Sequence, residues 1–152
     1  YWHCTHFMEA ADKYKWPSKD AGGTKIYDLK STQQYLAQLG DSLKSSMSKK
    51  QSLIDACNKI LEWGGVKDKK NIATDLRMVL KNDSERALYL KEVVKVINAD
   101  QFDPIQNTSI DIDGTLIPQI MTDSGTTKIF SLLVDEFATY DSRVGAGLGL
   151  LV

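Results

Sequence analysis

Apolar residues return at helical spacing through much of the chain. In residues 52–63, SLIDACNKILEW, the side chains of Leu53, Ile54, Cys57, Ile60 and Leu61 form one apolar stripe. That spacing predicts a helix closed by Trp63 and capped by Gly64-Gly65, where a left-handed backbone excludes most side chains. Ser84 is placed to cap SERALYLKEVVKVI, with Leu88, Leu90, Val93, Val94 and Ile97 as core residues, and Asn71 to cap a helix that turns Ile72, Leu76, Val79 and Leu80 inward. Nearer the start, residues 1–16 carry enough apolar side chains for a helix ended by Pro17. Ser31 is the expected N-cap of STQQYLAQL, with Tyr35, Leu36 and Leu39 on one side and Gly40 as the stop. Residues 41–50 are polar and rich in Ser and Lys, the composition of a connector, whereas TKIYDL is short enough for an extended piece or a bare turn.

The helical period lapses between residues 100 and 124, which Pro104, Gly114 and Pro118 punctuate. A stretch that long is unusual without a function or a small hairpin inside it, and DIDGT at 111–115 reads as an Asp-Gly turn at such a hairpin's tip. The period resumes at Gly125, with Ile129, Leu132 and Leu133 on one face and Lys128 in the first turn. It breaks at Asp135 and Glu136, then restarts as an apolar helix over 144–152. Asp141 therefore falls near a helix start, where unpaired N–H groups favour a carboxylate, and Lys128 and Asp141 are placed to face a common cleft. The expected fold is mostly α, a helical bundle with one long irregular loop. It reads as a single domain, residues 1–50 giving N-terminal helices and a connector and 51–152 the core, cut from a longer chain.

Composition changes this picture little. The 152 residues are 42% hydrophobic and 26% charged, as in an ordinary globular domain, and no stretch approaches the apolar length of a membrane span. Two cysteines, Cys4 and Cys57, are too few for a disulfide scaffold and fit a reduced, cytoplasmic setting. The net charge of −1 conceals a division. Residues 44–81 hold nine Lys/Arg against four acids, and residues 100–141 hold eight acids against Lys128 alone, so a surface for nucleic acid would come from the middle of the chain.

Several constellations fail for want of partners. His3, Cys4 and His6 make a compact group of metal-binding types, but a structural zinc site needs a second pair and none follows, so no metal or cofactor is expected. Both histidines lie at the N-terminus and no nucleophile elbow occurs, which removes the usual hydrolase triads. DIDGT resembles the first motif of haloacid dehalogenase-type phosphatases, yet PIQNTSI before it is no buried strand and only thirty-six residues follow Leu116. Gly145, Gly147 and Gly149 alternate with apolar residues and suit close helix packing better than a phosphate turn.

WGG at 63–65, TKI at 127–129 and YDSRV at 140–144 carry a resemblance. A glycine turn, a lysine at a helix start, an apolar helix and then an aspartate opening the next helix are similar to the helix-hairpin-helix DNA glycosylases. More closely, the three motifs together resemble small prokaryotic proteins described as 8-oxoguanine DNA glycosylase-like, over about residues 53–152. Two positions depart from the pattern: Thr126 stands where the family hairpin has its second glycine, and Lys128 and Asp141 are thirteen residues apart, fewer than in lyase-active members. The resemblance implies a helix-hairpin-helix-like C-terminal part, Asp141 as catalytic carboxylate and Lys128 as a nucleophile in the lyase step. It further implies Tyr140, Phe137, Phe130 and Trp63 as base pocket or wedge, with Lys67, Lys69, Lys70, Gly125, Thr126, Thr127 and Arg143 holding duplex DNA. The expected function is excision of a modified or damaged base. The competing expectation is a helical DNA-binding or protein-interaction module without chemistry.

Overall fold

The structure, a computed structural model, describes residues 9, 18–19, 23–26, 28–48, 52–66, 82–99, 108–120 and 123–139. It is mostly helical. In chain order it comprises β1 (Ser18–Lys19), β2 (Lys25–Ile26), α1 (Leu29–Ser48), α2 (Leu53–Trp63), α3 (Asp83–Asn98), β3 (Ile110–Ile112), β4 (Thr115–Ile117) and the short α4 (Thr126–Phe130). Helix α2 is central, packing against α1, α3 and α4, while α3 also carries β3. No helix among the described residues is long and apolar enough to cross a membrane.

Helix α1 begins and ends elsewhere than the sequence predicts. Its cap is Asp28, whose carboxylate accepts hydrogen bonds from the Ser31 N–H and hydroxyl, both at 2.8 Å. Gly40 does not stop it: the helix continues to Ser48 through the expected connector, because Leu43 and Ser46 prolong the buried stripe of Thr32, Tyr35 and Leu39. Glycine inside a helix costs about 0.5–1 kcal/mol relative to alanine. Here it gives the Leu132 segment close approach, since a Cβ at Gly40 would lie 3.5 Å from the Leu132 carbonyl oxygen.

Helix α2 follows the predicted stripe, with Leu53, Cys57, Ile60 and Leu61 buried; Ala56 joins them and Ile54 lies only half-buried. Its end is a Schellman turn in which Val66 N–H donates to the Leu61 carbonyl and Gly65 N–H to that of Glu62. The two glycines have separate duties. Gly65 takes the left-handed conformation at φ +67°, while Gly64 is right-handed at φ −69°.

Helix α3 is capped by Asn82 rather than Ser84: the Asn82 amide oxygen accepts from Glu85 N–H at 3.0 Å and its nitrogen donates to the Glu85 carboxylate at 2.8 Å. Tyr89, Leu90 and Val93 are its buried residues, whereas Leu88, expected inside, is exposed and Val94 and Ile97 are half-buried. The helix predicted after Asn71, the one over 144–152 and all but Glu9 of the first fall outside the described residues.

The long irregular stretch contains the hairpin that DIDGT implies. Ile110 pairs with Ile117 and Ile112 with Thr115, antiparallel, about a two-residue turn. Asp113 and Gly114 both have positive φ, 50° and 83°, the signature of the primed turn that matches strand twist. Asp111 accepts from the Gly114 N–H at 2.8 Å. Asp111 and Asp113 are exposed on this hairpin, not at the end of a buried parallel strand, so the phosphatase likeness has no structural counterpart.

Candidate functional site

Helix α4 is a single turn and a half, and all five of its residues are buried. Asp123 organises its start. One carboxylate oxygen accepts from the N–H groups of Gly125 and Thr126, each at 2.8 Å, while Asp123 N–H donates to the Thr126 hydroxyl and the Thr127 hydroxyl donates to the Asp123 carbonyl. This closed capping arrangement satisfies donors that a helix start otherwise leaves unpaired. The turn that the resemblance would have hold DNA phosphate thus holds the protein's own carboxylate, and Gly125, Thr126 and Thr127 are enclosed rather than presented to solvent.

Lys128 departs most from what a lysine at a helix start leads one to expect. Only 5% of it is exposed, and its ammonium donates to the Ser124 carbonyl at 2.7 Å. Its aliphatic stem lies over Gly64, so near that a Cβ there would come within 2.5 Å of Cδ and 2.7 Å of Cε. The missing side chain at Gly64 therefore makes the channel in which the lysine lies. An ammonium at the carboxyl end of α2 also meets the negative pole of that helix. Segments 63–65 and 127–129, sixty-four residues apart in sequence, are brought together by this contact.

The aromatic candidates separate. Phe130 is 1% exposed and belongs to the core, with Phe137 edge-on to it at 6.0 Å between ring centroids and an interplanar angle of 78°. Trp63 and Phe137 are half-buried and retain some surface. Among the described residues the buried Trp63 indole N–H has no hydrogen-bond partner, an arrangement that costs about 1–3 kcal/mol. Asp141, Tyr140, Arg143, Lys67, Lys69 and Lys70 lie outside the described residues, as do His3, Cys4 and His6. Among the described residues no group of three or more His, Cys, Asp and Glu is placed to hold a metal ion.

Sequence reasoning missed Asp123 and Ser124, the residues that build the lysine's surroundings. The signal was present in the Asp123-Ser-Gly-Thr126 spacing, a capping arrangement placed just before an apolar turn. Compared with protein-family models, with curated proteins and with solved structures, the chain matches none.

Proposed function

We propose that the chain is a DNA glycosylase-like protein of helix-hairpin-helix character that releases a modified or damaged base by Asp141-dependent hydrolysis. The observation that carries this reading is the meeting of the WGG and TKI segments through Gly64 and Lys128, two of the three stretches on which the resemblance rests. As the glycosidic bond breaks, positive charge builds on the deoxyribose; the Asp141 carboxylate opposes it and orients the attacking water. Trp63 and Phe137 retain the partial exposure that a base wedge or pocket wall requires, and Phe130 backs Phe137 from the core. Lys67, Lys69, Lys70 and Arg143 supply the contacts to phosphate.

Within this reading Lys128 is a positioning residue. Its ammonium is engaged by the Ser124 carbonyl and its stem is covered, so the step in which a neutral amine attacks the sugar carbon is not assigned to it. A second reading, a helical binding module without chemistry, is favoured by the Asp123 carboxylate occupying the turn that would grip a backbone phosphate. Duplexes carrying a panel of altered bases, incubated with protein and then treated with alkali, separate the two. The glycosylase gives alkali-labile breaks that Asp141→Asn abolishes with little loss of DNA affinity, and no borohydride-trapped adduct. Salt-sensitive binding without breaks on any duplex overturns the glycosylase in favour of the module.

A further inference from the structure

Where α1, α3 and the segment after α4 meet, a groove of about 420 Å³ opens to solvent, and none of its lining belongs to the site described above. Its floor is apolar: Met47 of α1, Val94 of α3 and Leu133, each half-buried. Its rim is cationic, formed by Lys44 of α1 and by Lys91 and Lys95 one turn apart on α3, all exposed. We propose that this groove binds an anionic amphiphile, an aliphatic chain carrying a carboxylate head.

Charge complementarity selects this occupant. Among the described residues the lining contains three cations and no acid, so an anionic head is favoured over a neutral or cationic one. Glu92 pairs with Lys95 from the same helix, which assigns most of the attraction to Lys44 and Lys91. Beneath them the lysine stems extend the apolar floor, and the unbranched thioether of Met47 adapts to a flexible chain. Among the described residues no aromatic ring lines the groove to give a nucleobase a stacking surface. The volume lies within the range of roughly 300–1,000 Å³ typical of small-molecule sites. The inference is independent of the glycosylase reading.

The test uses protein labelled with ¹³C at the methionine methyls and titrated with sodium dodecanoate below its micellar concentration. Met47→Leu identifies the Met47 signal, and dodecyltrimethylammonium chloride serves as the chain-matched cation. A saturable Met47 shift with dodecanoate is expected, at least about tenfold weaker with the cation and in the Lys44→Glu/Lys91→Glu variant, since each charge-assisted contact is worth about one decade of affinity. Circular dichroism verifies that this variant folds, and Lys44→Gln/Lys91→Gln, expected to weaken binding in the same direction, replaces it if it does not. An unsaturable Met47 response overturns the proposal. So do equal affinities for the two amphiphiles, unchanged affinity in the charge variants, and displacement of dodecanoate by a short DNA duplex that itself shifts Met47.

Discussion

Replacing Gly64 by alanine tests the contact between the two distant segments, because its effect should change sign with the residue at 128. At φ −69° and ψ −2° alanine is unstrained, so the substitution taken alone stabilises by about 0.4–1 kcal/mol through the unfolded chain. In the native protein, however, the new methyl would stand 2.5 Å from Lys128 Cδ and 2.7 Å from Cε, against a side chain 5% exposed and tied to the Ser124 carbonyl. Overpacking of this kind costs typically about 1–3 kcal/mol. The balance predicts a net destabilisation of roughly 0.5–2 kcal/mol for Gly64→Ala in the wild type. In a Lys128→Ala background the obstructing carbons are gone, and the same change should stabilise by up to about 1 kcal/mol. Urea unfolding of the four proteins, followed by circular dichroism, closes the double-mutant cycle. Stabilisation by Gly64→Ala in the wild type, or equal cost in both backgrounds, would refute the packing argument.

Three further outcomes follow from local geometry. Asp123→Ala removes the acceptor for two N–H groups and should cost about 1–2 kcal/mol in denaturant unfolding, with Asp123→Asn recovering part of it. Glu136 holds a left-handed backbone at φ 66°, so Glu136→Gly should stabilise the fold by about 0.5–1 kcal/mol once the entropy of the unfolded glycine is deducted, read as a raised melting temperature. The Ser31 N–H and hydroxyl on Asp28 hold its carboxyl below the ordinary carboxylate range. Its contribution is therefore complete above pH about 4 and lost as pH falls through the lowered folded value. Asp28→Asn should flatten the acid limb of a melting-temperature profile while leaving its neutral plateau nearly level.

What the sequence revealed, and what it did not, follows from the range of the forces involved. The α2 stripe and the Asp-Gly turn were legible because helical spacing and positive φ are properties of a few neighbouring residues. Gly40 misled because a local stop signal was outweighed by Leu43 and Ser46, which continue the buried face one turn on. Ser31 and Ser84 were plausible caps, but Asp28 and Asn82, a few residues earlier, accept from the N–H groups of Ser31 and Glu85, so each helix begins ahead of the expected serine. Pairing of Ser18–Lys19 with Lys25–Ile26 left no pattern beyond a short extended piece. The burial of Lys128 was the least legible feature: it depends on the absent side chain of Gly64, which adjacent sequence cannot show. The candidate site was thus readable as residue types and not as a geometry.

The central claim is carried by Asp141, and the most direct measurement is mass-spectrometric detection of free base released from duplex DNA under single-turnover conditions. Wild type should liberate an altered base from at least one duplex in the panel, and Asp141→Asn, binding the same duplex, should liberate none. Equal release by the two proteins, or binding by wild type with no free base from any duplex, would contradict it.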